Sequence, residues 1–308
     1  MRVSLVLATT LLAYAASAQP LTVAEKLGYP KNSKLLIIHG DDIGVSHSQN
    51  AATIRALEHG NVTSGSIMVP CPWFPEIADY VKSHPDSDLG LHLTLTSEWK
   101  LYKWGPVTPR TEVPSLIDDK GFFYDNVLDL IKHAKVDEVE KELRSQIDRA
   151  IAFGINPTHF DGHMGAAFSN PEYLKVYIKL SREYKVPVLL NHEAFKIMFN
   201  LDLKTLIDDK DVVADGVFMA SEADFKKGMK HFYPGVFSSL QPGLNVILLH
   251  AAYDNDEMQA VTVDHPAFGA AWRQADFDFF TSGECRRLLK ENNIQLITWK
   301  EIRDKLYR

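Results

Sequence analysis

Two adjacent carboxylates, Asp41 and Asp42, stand just past the aliphatic run Leu35-Leu36-Ile37-Ile38 and the pair His39-Gly40, and Gly44 follows closely. Three further stretches set ionisable side chains in or after apolar runs. They are His92 within Leu89-Gly90-Leu91-His92-Leu93, the trio His159, Asp161 and His163, and His250 after Asn245-Val246-Ile247-Leu248-Leu249. Carboxylates and imidazoles together can move protons, or can hold a divalent cation that keeps open positions for water and substrate. One carboxylate with two histidines is a recurrent catalytic metal set. If 158–163 is extended, residues 159, 161 and 163 share a face, and His with Asp at that spacing suits a metal ligand beside a partner that fixes its tautomer. The bland alternative is an Asp that caps the next helix and histidines that are merely hydrogen-bonded.

The elements around these residues decide between the two. The aliphatic run before Asp41 reads as a buried parallel strand opening into a loop, where α/β folds collect their chemistry. Strand alternation gives Asp41 and Asp42 opposite faces and therefore different neighbours. The spacing predicts a helix over 46–60, capped by Ser46 or Ser48 and stopped by Gly60. In 89–96 the leucines alternate with Gly90, His92, Thr94 and Thr96, so a barrel would turn the leucines to its helices and His92 inward. Strands are expected at 63–69, 158–163, 186–190, 216–219, 245–250 and 294–298. Helices are expected at 74–83, 136–153, 171–184, 222–232 and 284–292, with a short one closing the chain. Segment 97–125 reads as a long aromatic-rich, lid-like connection; 191–215 gives no clear pattern, and 251–280 is partly irregular. Strand and helix alternate throughout, which means a parallel sheet, and the number of units favours a single α/β barrel over an open sheet. The carboxyl ends of barrel strands share one mouth, so the distant ionisable residues should converge there.

Composition sets the outer bounds. The 308 residues carry a formal charge of −7, which argues against nucleic acid as a partner. Arg2, the apolar run Val3 to Tyr14 and Ala16-Ser17-Ala18 form a signal peptide over 1–18, leaving a barrel domain over 19–308 and a secreted or periplasmic protein. No later stretch has the length of a membrane span. Cys71 and Cys285 are the two cysteines, too few for a disulfide scaffold; export leaves a pairing open, and buried small hydrophobes are the commoner case.

The stretches Ile38 to Ser46, Gly60-Asn61-Val62-Thr63-Ser64, Leu89 to Thr96 and Thr158 to His163, in that order, resemble the YdjC-like carbohydrate deacetylase family over most of the chain. The resemblance implies a distorted parallel β/α barrel that removes acetyl groups from N-acetylated amino sugars with one divalent metal ion. It implies Asp42, His92 and His163 as metal ligands, Asp41 as general base and His250 as the histidine near the leaving group. Two departures stand out: His39-Gly40 where the family usually has Asn-Ala, and Met164-Gly165-Ala166 where further histidines usually follow the ligand. Ligand chemistry suits zinc, cobalt or manganese, whereas the family is often described with magnesium.

Amide hydrolysis would then use Asp41 to take a proton from water and an imidazolium at His250 to give one to the departing amine. His159 and Asp161 are candidates for the layer behind the ligands. Trp99 and Trp104, with Trp73 and Tyr102, are candidates for stacking on an acetylated sugar, against ordinary loop packing. His192 and Asp254 are weaker pocket candidates, while His133, His231 and His265 read as loop or surface residues. Two other functions compete. A glycoside hydrolase could use Asp41 with a second carboxylate such as Asp161, and a secreted sugar-binding barrel could have lost catalysis.

Overall fold

The computed structural model describes residues 21–308, so the expected signal peptide lies outside the described residues. Seven parallel strands form one curled sheet: β1 (Lys34–Ile43), β2 (Ser64–Ile67), β3 (Leu89–Leu93), β4 (Phe160–Gly162), β5 (Gly216–Phe218), β6 (Gly243–Leu249) and β7 (Ile294–Leu296). Their order is β4-β3-β2-β1-β6-β5, with β7 on β1. β1 is the longest strand and shares one edge between two partners. Lys34 to Leu36 pair with β7, and His39 to Ile43 pair with β2. The gap between β4 and β5 is spanned by the extended segment 186–190. Leu189 N donates to Phe160 O (3.0 Å), and Ala214 N donates to Leu190 O (2.8 Å). The result is a distorted β/α barrel, closed on this side by one bridge at Phe160 and the bond at Leu190 instead of a continuous ladder.

The alternation of β1 sorts its residues into two cores. Leu35 and Ile37 pack with Leu244, Val246 and Trp299, while Leu36 and Ile38 pack with Ala56, Trp272 and Phe280. The first set fills the floor of the barrel, and the second lies between sheet and helices. Every side chain in both sets is buried, so either face of β1 is dry and a near-continuous apolar run is what such a strand requires.

Several expected elements stand where the spacing puts them. The helix His47–His59 is capped by Ser46, whose hydroxyl accepts from Gln49 N at 3.0 Å. Phe74–Ser83 and Pro171–Tyr184 match their expected bounds. Other stretches differ. Segment 186–190 has a single bridge, Phe160 to Val188, in place of a full strand. The helix expected over 222–232 is two, Glu222–Lys227 and Met229–Ser239, because Gly228 adopts φ 98. Helices Val127–His133, His192–Phe199, Asp256–Val261 and Ala270–Phe280 occupy stretches for which no helix is expected. Cys71 and Cys285 are both buried and unpaired, and no helix among the described residues is long and apolar enough to cross a membrane.

Glycine at position 90 makes room for the site. A Cβ there would lie 2.5 Å from His159 O and 2.4 Å from its ring, and the backbone oxygen cannot move aside. Gly90→Ala should therefore cost at least about 2 kcal/mol of unfolding free energy, as overpacking does in close-packed cores. Gly235, inside a helix with nothing within 4 Å of its Cβ position, should gain about 0.5–1 kcal/mol on change to Ala. Chemical denaturation midpoints of the two variants check both signs.

Candidate metal and proton-transfer site

The barrel mouth opens into a cavity of about 500 Å³ whose floor is Asp41, Asp42, His92, Asp161, His163 and His250. Both aspartates face it, contrary to the alternation expected of consecutive strand residues. The pairing of β1 with β2 explains why. Gly40 faces Gly65 and Ile43 faces Ile67, so β1 carries one extra residue between them. Such a bulge re-aims a side chain, and here Asp42 takes the left-handed region at φ 62. Aspartate is one of the few non-glycine residues that enter that region readily. Gln49 holds the bulge by donating to Asp41 O at 2.7 Å, and Asn50 accepts from Gly44 N at 2.6 Å. Gly44, at φ 95, passes 3.2 Å below Met68 O where a Cβ would stand.

Asp42 uses its two oxygens differently. Oδ2 accepts from Arg273 Nη2 at 2.7 Å. Oδ1 makes no hydrogen bond although buried, and it faces His163 Nδ1 at 3.3 Å and His92 Nε2 at 3.4 Å. Both imidazoles are fixed from behind by carboxylates: His92 Nδ1 meets Asp161 Oδ1 at 2.8 Å, and His163 Nε2 meets Glu98 Oε2 at 2.9 Å. Those carboxylates can only accept, so in the neutral rings the lone pairs of Nε2 on His92 and Nδ1 on His163 point at Asp42 Oδ1. Ligands about 2.0–2.1 Å from a tetrahedral ion stand about 3.3 Å apart. An orphaned buried oxygen and two aimed lone pairs at that separation fit a divalent cation, and the carboxylates behind them complete the usual outer layer of such a site.

Two other groupings of acidic and imidazole side chains, His39 with His159 and Asp161, and Asp41 with His92 and Asp161, are equally compact. Both draw on Asp161, whose oxygens are already taken. Oδ1 bonds His92, and Oδ2 bonds His39 Nε2 at 2.9 Å and Ser66 Oγ at 3.0 Å. His159 lies deeper, fully buried and stacked on Trp299 with ring centroids 5.3 Å apart. It supports the floor and does not reach the cavity.

The electrostatics follow from this geometry. Burial works against charge on Asp42, but Arg273, His250 and the two ligand imidazoles outweigh it and hold the carboxyl well below the usual range. Burial likewise opposes ionisation of Asp161, and His92 and His39 override it and push the group down. An Asp161 held ionised and bonded at both oxygens cannot serve as the acid of a glycoside hydrolase. Burial alone would lower His163, yet Glu98 and Asp42 raise it to about 9. His250 behaves oppositely: burial dominates and lowers it despite Asp41 and Asp42. Its Nε2 lies 3.2 Å from Asp41 Oδ1, and its Nδ1 has no partner. Burial thus favours the neutral ring at His250. Asp276 holds this segment in place, accepting from His250 N at 3.1 Å and from Tyr233 OH at 2.5 Å; burial raises Asp276 to about 7.

Other candidates are placed less centrally. Trp99 is buried, lines the cavity and lies under the Arg273 guanidinium at 5.4 Å. Trp104 is buried behind it, its ring N–H donating to Thr96 O at 2.8 Å, so it packs the loop instead of presenting a face to ligand. Trp73 is exposed outside the cavity, and Tyr102 donates to Val45 O. His192 and Asp254 are exposed and outside the cavity, whereas His265 lines it. The sequence reading gives no role to Glu98, Arg273, Asp276 or His39.

Comparison with known proteins agrees with this geometry. The profile of the YdjC-like protein family matches residues 35–291. A carbohydrate deacetylase of Thermus thermophilus is 32% identical over 293 residues, covering 92% of this chain and 98% of its own. A carbohydrate deacetylase of Brevibacillus brevis is 28% identical over 277 residues, covering 87% and 99%. A crystal structure from Enterococcus faecalis V583, of a candidate cellobiose-phosphate cleavage protein, superposes with a TM-score of 0.72 at 24% identity over 88% of this chain and 99% of that one; the likeness is one of fold. The chain belongs to the YdjC-like protein family.

Metal affinity should depend on both the lone pairs and the groups behind them. A cation must displace the protons of both imidazoles, which the neighbouring carboxylates hold above the ordinary histidine range, so affinity should rise with pH through about 9. Glu98→Gln removes the anion that orients His163 and should weaken binding about 10–100-fold. His92→Ala should abolish stoichiometric binding without unfolding the chain. Competition titrations against a chelating dye across pH, with circular dichroism as control, measure all three.

Proposed function

We propose that this YdjC-like protein is a metal-dependent hydrolase that removes acetyl groups from N-acetylated amino sugars or oligosaccharides outside the cytoplasm. One observation carries the reading. The unbonded Asp42 Oδ1, flanked by the aimed nitrogens of His92 and His163, shares a cavity floor with a second unbonded carboxylate oxygen, Asp41 Oδ1. The carbohydrate substrate class is supported by what the Thermus and Brevibacillus relatives are named for.

Hydrolysis of an amide needs an activated water, a polarised carbonyl and a proton for the amine. A divalent ion held by Asp42, His92 and His163 would supply the first two by acidifying water and drawing on the carbonyl oxygen. Arg273 occupies the other oxygen of Asp42, so that carboxylate presents Oδ1 alone to the cavity. Asp41 Oδ1, which has no other hydrogen bond, takes the proton of the attacking water. His250 is neutral at rest and lies 3.2 Å from Asp41, so it can receive that proton and deliver it to the nitrogen. Water oxygen bonds to the acyl carbon, the C–N bond breaks, and acetate and a free amine result. The same proton is thus used twice, which explains why the acid is uncharged before the reaction.

Export rests on residues 1–18, and N-terminal sequencing of the mature protein should find a start near Gln19; an intact Met1 on mature protein would refute it. For the chemistry, Asp41→Asn should keep the metal and lose about 10²–10⁴ in turnover. His250→Ala should slow amides more than activated acetyl esters, whose leaving groups need no proton. Acetate release at matched metal occupancy separates these outcomes, and a fully active Asp41→Asn enzyme would remove the assigned base.

A further inference from the structure

The cavity has a polar floor and an apolar wall. Above His163 the wall is made by Met164, Phe168, Leu189, Phe195, Met198 and Phe199. Three of these rings form one aromatic cluster. Phe168 lies 4.8 Å from Phe195 and 5.6 Å from Phe199, and Phe195 lies 5.8 Å from Phe199. Chain geometry ties the cluster to the ligand histidine. Met164 and Gly165, the next two residues, both take positive φ (51 and 69), and a Cβ on Gly165 would stand 2.6 Å from Phe199. At the rim Met164 and Met198 remain 44% and 64% exposed, so an apolar surface runs from the ligand outward into solvent.

Polar partners for a sugar are scarce on the same side. Glu98 is bonded to His163, and Asn191 donates to Ala214 O and accepts from Ala194 N. Arg273 is shared among Phe268 O, Gln49 and Asp42. Sugar hydroxyls pressed against this wall would lose water without gaining bonds, so its surface suits an apolar group better.

Orientation decides which part of the substrate lies there. His163 stands at Oδ1 of Asp42, whereas His250 stands nearer Oδ2, at 3.8 Å. In an amide the acyl substituent and the nitrogen lie on opposite sides of the carbonyl. With the nitrogen at His250, the substituent points to the His163 side and onto the aromatic cluster. A methyl group is only a little larger than a water, whose share of liquid volume is about 30 Å³, and leaves most of that wall uncovered. We infer that the wall is an acyl pocket and that the protein takes N-acyl amino sugars whose acyl chain is longer than acetyl, releasing the carboxylate and the free amine. This rests on the amide-hydrolase reading for its orientation, and extends it in substrate class.

The test compares N-acetyl-, N-butanoyl- and N-hexanoylglucosamine on the metal-loaded protein. Binding is measured by calorimetry on the Asp41→Asn protein, and amine release on the wild type. Affinity and kcat/KM should rise about threefold to fourfold per buried methylene. Phe199→Asp, and independently Met198→Asp at its exposed rim position, should each lower the hexanoyl-to-acetyl ratio by tenfold or more. Binding and turnover that do not change with chain length would overturn the acyl pocket, even if acetate is released. Affinity that climbs with chain length while no amine appears from any compound would support the pocket and refute the hydrolase reading.

Discussion

One extra residue in β1 governs the site. Without the bulge between Gly40 and Ile43, Asp41 would face the barrel with Leu35, Ile37 and His39, and Asp42 would point toward the helices. The left-handed conformation at Asp42 turns the second carboxylate inward, so two adjacent carboxylates face the same cavity. A non-glycine residue in this conformation costs on the order of 1–3 kcal/mol and persists only where its surroundings over-determine it. Arg273 on the carboxylate, Gln49 on the preceding carbonyl and Asn50 on the following amide provide that determination.

Behind the bulge, buried charge is balanced in layers. Asp161 joins His92, His39 and Ser66, and Glu98 joins His163. Two anions thereby fix two imidazoles with Nε2 of His92 and Nδ1 of His163 converging on Asp42 Oδ1. His39, one of the departures from the usual family pattern, belongs to this layer and not to the cavity wall. The other departure, Met164-Gly165-Ala166, stands where the apolar wall begins. The first change is absorbed by the support of the metal site, and the second reshapes what the cavity admits.

Much of this was legible in the sequence, and the part that was not has physical reasons. Aliphatic runs ending in Asp or His mark strand ends, and parallel topology brings strand ends together, so Asp42, His92, His163 and His250 could be grouped without coordinates. Periodicity could not show the bulge, because one inserted residue leaves no compositional trace. Arg273 and Asp276 were missed because their helix, Ala270–Phe280, is flanked and filled by Phe268, Trp272, Phe277, Phe279 and Phe280. Its buried face sets Arg273 and Asp276 among Trp272, Phe279 and Phe280, so periodicity alone does not mark them, and Arg273 meets Asp42 across 231 positions of chain. Glu98 and His39 left a fainter signal, each being near a strand end already singled out. The aromatic loop divides between its two readings: Trp104 is buried by the loop's own packing, while Trp99, also buried, lines the cavity.

The central claim is that Asp42, His92 and His163 share one divalent ion. Anomalous diffraction from crystals of the zinc-loaded protein, recorded on both sides of the zinc edge, tests it most directly. The account requires a single strong peak about 2.0–2.2 Å from Asp42 Oδ1, His92 Nε2 and His163 Nδ1. A peak centred instead among His39, His159 and Asp161, or none at the barrel mouth at full zinc occupancy, would contradict it.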